Sequence, residues 1–136
     1  MHFMLQKEVV QRLCATPGEK AYGRLGIMVQ YYCSVESLFE VPPQCFRPQP
    51  KVDSAIVRLT PHRQLPYRAN NTVLFERLVK TAFQQRRKTL RNALKQLVPV
   101  QTIENIQIDI TIRPENLTLE ELVSLSNTLD TLIPSP

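Results

Sequence analysis

The chain has 136 residues, 43% of them hydrophobic and 21% charged, with a net charge of +5. That is enough for one ordinary domain or two small ones, and it excludes a disordered chain. No apolar run reaches the length of a membrane span, and the start, Met1 to Glu8, lacks the basic stretch and cleavage site of a signal peptide. The charge is unevenly distributed. Residues 67–100 hold eight Lys/Arg against Glu76 alone, whereas residues 101–136 hold Arg113 against six acids. A basic middle beside an acidic tail predicts a field directed at a polyanion.

Met1 to Leu5 is almost wholly apolar, as expected of a strand buried on both faces of a parallel sheet. A strand beginning this abruptly suggests that the chain starts inside a larger fold. Val9, Val10, Leu13 and Cys14 repeat at helical spacing over Lys7 to Ala15, and Thr16-Pro17-Gly18 stops that helix. Leu25, Met28, Val29 and Tyr32 predict a second helix from Tyr22 to Cys33. Val35 to Val41 has strand character, and so does Val52 to Thr60, with Ala55, Val57 and Leu59 on one face. Three strands and two helices are the tail of an α/β sheet, too few to cover both of its faces. An exposed sheet edge or missing elements are therefore expected.

Residues 61–71, with Pro61 and Pro66, read as a linker, and residues 72–136 as a small helical domain. Asn70-Asn71-Thr72 offers a helix cap. Phe75, Leu78, Val79, Ala82 and Phe83 follow the helical template, and Leu90, Ala93, Leu94, Leu97 and Val98 repeat it. Arg86 and Arg87 interrupt the stripe, which predicts a solvent-facing turn near Gln84 to Arg86. A short helix is expected from Val100 to Ile106. Thr118-Leu119-Glu120-Glu121 is a capping box opening a last helix that ends before Pro134.

Cys14, Cys33 and Cys45 are odd in number and fit no zinc spacing, so reduced thiols are expected and no metal is assigned. Gly23-Arg24-Leu25-Gly26 lacks the strand and the spacing of a phosphate loop. Tyr31 and Tyr32 read as core and boundary residues. No Ser/His/Asp set or paired-carboxylate site emerges.

Two stretches remain. Arg87, Arg91 and Lys95 are spaced by four, Lys88 borders them, and no acid lies between Glu76 and Glu104. This pattern favours a phosphate-contacting face over a merely solvated one. Four neutralised phosphates would give a salt slope of about −3. The other is Phe46-Arg47-Pro48-Gln49-Pro50-Lys51-Val52-Asp53-Ser54, in which prolines stiffen the backbone around an aromatic. Phe46 there is either a base-stacking platform, with Arg47 and Lys51 at the flanking phosphates, or a plug at the sheet edge. The residues alone thus lead to an α/β remnant plus a basic helical domain that binds nucleic acid.

Five ordered motifs go further. His2-Phe3-Met4-Leu5-Gln6-Lys7-Glu8-Val9-Val10, Tyr22-Gly23-Arg24-Leu25, Gln30-Tyr31-Tyr32-Cys33, the Phe46 to Ala55 stretch, and Phe83 to Asn92 closely resemble the KsgA family of small-subunit ribosomal RNA adenine dimethyltransferases. The resemblance is to the C-terminal half of a bacterial, cytoplasmic member. It implies that residues 1–60 hold the last three strands of a Rossmann-like methyltransferase sheet, the final one antiparallel, and that residues 72–136 form an rRNA-docking helical domain. It implies transfer from S-adenosylmethionine to N6 of two adjacent adenines, with small-subunit rRNA and the pre-ribosomal subunit as partners and neither membrane nor metal. Phe46 would pack against the flipped adenine, and Arg86, Arg87, Lys88 and Arg91 would contact rRNA. The glycine-rich cofactor loop, the ribose-binding acid and the Asn-Leu-Pro-Tyr motif of the family are absent, so the chain alone is expected to be inactive. A non-catalytic nucleic-acid-binding module is the alternative, and a protein-interaction fragment completed by a partner's strands is a third reading.

Overall fold

The computed structural model describes residues 1–42, 44, 53–84, 89–104, 106 and 110–132. They divide into two compact units, Met1–Pro66 and Tyr67–Pro136.

The first unit contains β1 (His2–Gln6), α1 (Lys7–Cys14), α2 (Arg24–Tyr32), β2 (Cys33–Val41) and β3 (Ser54–Pro61). Its sheet has the order β1-β3-β2, with both pairings antiparallel. β1 and β2 therefore run in the same direction, with β3 reversed between them. Cross-strand partners share a face. Leu5 pairs with Ala55, and Val35 with Leu59. These residues and Val57 pack against Val9, Val10, Leu13 and Cys14 of α1 and Val29 of α2. On the opposite face the register sets Met4 and Phe39 on either side of Ile56. Met4 remains 53% exposed and Phe39 60%. A bulge between Ser37 and Phe39 resets the alternation of β2.

This corrects the expectation that the first strand is buried on both faces of a parallel sheet. β1 pairs antiparallel with β3 and is exposed except at Leu5, which is half-buried. Periodicity could not distinguish the two arrangements, because an apolar strand reads the same whether or not its second face is covered.

α1 and α2 are locked together by two devices. A Cβ on Gly26 would stand 2.2 Å from the Arg12 carbonyl oxygen, so only glycine lets α2 approach this closely. Gln30 Nε2 donates to the carbonyls of Leu13 and Ala15 at 2.7 and 3.1 Å, satisfying acceptors left over at the end of α1. Between the helices the chain turns at Gly18, whose φ is +89°. There the Glu19 carboxylate accepts from the Thr16 amide at 2.9 Å and from its hydroxyl. Those hydrogen bonds hold Glu19 below the usual carboxylate range, the hydroxyl contributing most.

The second unit is helical: α3 (Thr72–Gln84), α4 (Leu90–Leu94), α5 (Val100–Glu104), a 3₁₀ turn (Pro114–Asn116) and α6 (Leu119–Leu132). The Asn71 side chain caps α3 through the Leu74 amide at 3.1 Å. The capping box of α6 is reciprocal, Thr118 N to Glu121 Oε1 and Glu121 N to Thr118 Oγ1, both at 3.1 Å. Phe75, Leu78, Leu90, Leu94, Leu117, Leu122, Leu125 and Leu129 are fully buried. Asn127 of α6 holds the chain entering this unit, accepting from the Asn70 amide at 2.8 Å and donating to the Arg68 carbonyl at 3.1 Å.

Two helices are shorter than their apolar templates. α4 stops at Leu94 because Gln96 and Leu97 bond three residues back, to Ala93 and Leu94, and so tighten the chain ahead of Pro99. α5 ends at Glu104, short of Ile106.

Candidate nucleic-acid interface

The proline loop with Phe46, Arg47 and Lys51 lies outside the described residues, but both of its flanks are fixed. Val41 pairs with Ser54, and Gln6 pairs with Ser54 from the other side. The Lys7 amide donates to the Asp53 carbonyl at 2.9 Å. The Lys7 ammonium meets Glu40 at 3.1 Å. The stretch is thus anchored at the carboxyl ends of β1 and β2. That is the edge at which open α/β sheets place their ligands. Sequence patterning placed the loop between β2 and β3 but gave no sign of the nearby end of β1, which depends on β3 being inserted between the other two strands.

Of the basic stretch, Arg86, Arg87 and Lys88 also lie outside the described residues. Arg91 and Lys95 are described and exposed. The expected run of cations along two helical turns is cut down, since α4 begins at Leu90 and ends at Leu94. One turn survives: the Lys95 amide bonds the Arg91 carbonyl at 3.2 Å, which keeps these two side chains on neighbouring positions of one face. Among the described residues neither forms an ion pair. The first amides of α4 are already occupied, Leu90 N by Ile112 O and Arg91 N by Ile110 O, each at 2.9 Å. The Leu90 and Arg91 amides are therefore not open to an anion.

Tyr31 is buried and Tyr32 exposed, their rings edge-to-face at 4.8 Å and 87°. That geometry makes them a packing pair. The two glycines of Gly23–Gly26 serve the start of α2 and its contact with α1. Burial pushes the Cys14 thiol up, opposed by a hydrogen bond with the Ser37 backbone. Among the described residues, no group of three or more His, Cys, Asp or Glu is placed to hold a metal ion. None of the described helices is long and apolar enough to cross a membrane.

The model of the ribosomal RNA adenine dimethylase family matches residues 1–131. The chain is 64% identical over 129 residues to the ribosomal RNA small subunit methyltransferase A of Saccharophagus degradans, covering 95% of this chain and 48% of that protein. It is 60% identical to the protein of the same name from Pseudomonas aeruginosa, with the same coverage. A solved dimethyladenosine transferase from Plasmodium falciparum superposes with a TM-score of 0.80 at 26% identity, covering 96% of this chain and 57% of that one. The 23S rRNA methyltransferase ErmE shares the fold, with a TM-score of 0.62 at 21% identity over 95% of this chain and 54% of its own. The chain spans about half the length of the curated relatives it matches, their C-terminal half. With the family model matching nearly its whole length and relatives at this identity, the chain belongs to the ribosomal RNA adenine dimethylase family.

Proposed function

We propose that this chain is the C-terminal part of an S-adenosylmethionine-dependent rRNA adenine N6,N6-dimethyltransferase. In this reading residues 1–60 are the last strands of its Rossmann-like sheet, residues 61–71 the linker, and residues 72–136 the part that docks on small-subunit rRNA and the pre-ribosomal subunit. The observation that carries it is the family match over residues 1–131 together with the names of the relatives. The sheet is consistent with it: β1 and β2 run in parallel with β3 reversed between them, and the Phe46 loop is anchored at their carboxyl ends.

The residues present do not fit a cofactor site. Gly18 lies in a turn, Gly23 precedes α2, and the Arg12 carbonyl fills the space beside Gly26. The methyl donor is assigned to residues outside this chain. What this chain supplies is recognition. Phe46 stacks on an adenine extruded from its hairpin, which offsets the few kcal/mol that unstacking costs, and base-on-aromatic stacking contributes about 1–3 kcal/mol. Arg47 and Lys51 meet the flanking phosphates. Arg86, Arg87, Lys88, Arg91 and Lys95 hold the RNA backbone.

The test joins this chain to the N-terminal half of the Saccharophagus degradans relative and measures methyl transfer to small-subunit RNA. Transfer is expected from the joined protein. The 136-residue chain alone should neither transfer methyl groups nor bind S-adenosylmethionine at micromolar concentration by calorimetry. Cofactor binding by the isolated chain would overturn the division of labour.

A further inference from the structure

Beyond the basic residues already assigned, α3 carries an outward stripe of its own. Its inward face is Leu74, Phe75, Leu78, Val79 and Ala82. At 100° per residue, the opposite side of the helix is Val73, Arg77, Lys80 and Gln84, all exposed. Arg77, Lys80 and Gln84 follow one another at i, i+3 and i+7, so their Cα atoms span about 10 Å along the axis. Val73 ends the polar stretch at its amino-terminal side.

The charges on this stripe have no ion-pair partner among the described residues. Glu76 stands four residues before Lys80, in the orientation that favours an i,i+4 pair. Yet among the described residues no carboxylate lies within 4.0 Å of Lys80 or Arg77. Three cations of the first unit differ in this: Lys7, Arg12 and Arg58 are each bridged to a glutamate, at 3.1, 2.8 and 3.3 Å. Two unpaired cations followed by an amide donor along one helix row match the repeating acceptors of a nucleic-acid backbone.

We propose that Arg77, Lys80 and Gln84 form a second phosphate-contact strip for RNA, distinct in the fold from Arg91 and Lys95 on α4. The strip rests on the nucleic-acid reading of this unit and extends it to a helix that the basic motif does not include. It predicts contact with the RNA backbone only, hence a contribution that is equal across sequences and steep in salt.

The experiment is filter binding of a short synthetic RNA hairpin to the whole 136-residue chain across a range of salt concentrations. Five proteins are compared: wild type, Arg77→Ala/Lys80→Ala, Arg77→Gln/Lys80→Gln, Arg91→Ala/Lys95→Ala, and Arg12→Ala/Arg58→Ala. Each double variant removes two positive charges, and Arg77→Gln/Lys80→Gln repeats the first with longer side chains. The strip predicts that both α3 variants lower the magnitude of the log–log salt slope by about 2, one per lost phosphate contact. The Arg12/Arg58 variant, stripped of cations already paired, should leave it unchanged. If the α4 variant lowers the slope while the α3 variants do not, the strip is refuted and the nucleic-acid reading stands. An equal loss in the Arg12/Arg58 variant would make the effect one of net charge and refute the strip too. Absence of RNA binding by wild type at low salt would overturn both, as would binding of polyglutamate in preference to the hairpin.

Discussion

In the unit Tyr67–Pro136 most large apolar side chains are covered, with Phe75, Leu78, Leu90 and Leu129 fully buried and Tyr67 and Val73 the exceptions among the described residues. In the unit Met1–Pro66 only one face of the sheet has helices over it, and Met4 and Phe39 stand on the other, more than half exposed. Burying such a side chain contributes roughly 1.5–3 kcal/mol, so the open face forgoes several kcal/mol that the helical unit collects. The cations differ as well. Lys7, Arg12 and Arg58 of the sheet unit are bridged to glutamates, whereas Arg24 and Arg63 of that unit and Arg77, Lys80, Arg91 and Lys95 of the helical unit have no bridge among the described residues. The helical unit has the fuller core and a row of cations without a bridge among the described residues, while the sheet unit leaves more apolar surface open. Under the proposed function this is the expected division: the sheet unit awaits the rest of a methyltransferase domain, and the helical unit awaits RNA.

The largest effect that could break this comparison is in the helical core. Phe75→Ala should destabilise the helical unit by about 3–5 kcal/mol, as read by denaturant unfolding. A loss below about 1 kcal/mol would mean that the unit is not independently packed. Gly26→Ala comes next, since its Cβ would meet a backbone carbonyl that cannot swing away. A cost of about 1–3 kcal/mol is expected, and it should fall on the sheet unit while the helical unit keeps its melting behaviour. Thr118→Ala removes the acceptor at the start of α6 and should cost about 1 kcal/mol in the helical unit. Phe39→Gln, on the open face, should change stability by less than about 0.5 kcal/mol while lowering binding of a hydrophobic dye. A large destabilisation would show that this face is covered after all.

The smallest effect is one of pH. The folded-state pKa of Glu19 is depressed by its bonds to Thr16. Its contribution is therefore present above the unfolded carboxylate value and is lost as pH falls through the lower folded value. Thr16→Val should remove the larger part of that acid-side loss, and amide exchange in the turn at Thr16 to Gly18 is the sensitive readout.

Much of the helical unit was legible because its signals are local. The Asn71 cap and the Thr118–Glu121 box each lie within a few residues and are found where the pattern placed them, and four of the five apolar positions expected on α3 are buried, with Leu74 taking the place of the half-buried Phe83. The positions of the strands were legible as well, and so was the shared face of Ala55, Val57 and Leu59. The partners of β1 were not, because strand order depends on contacts more than fifty residues apart. Gly26 read as part of a failed phosphate loop, since a close approach between helices leaves no spacing signature. The shortening of α4 came from three-residue bonds ahead of Pro99 that an apolar template cannot anticipate. For the site, the two motifs were visible in the residues. The anchorage of the Phe46 loop beside the end of β1 was not, and neither was the charged row on α3.

Substituting Phe46 tests the central claim most directly. In the protein joined to the N-terminal half of its relative, Phe46→Ala should leave hairpin RNA affinity within about threefold, while methyl transfer falls by roughly five- to 150-fold, the factor that losing about 1–3 kcal/mol of stacking implies. Transfer at the wild-type rate with unchanged RNA affinity would contradict the assignment of Phe46 to the flipped base.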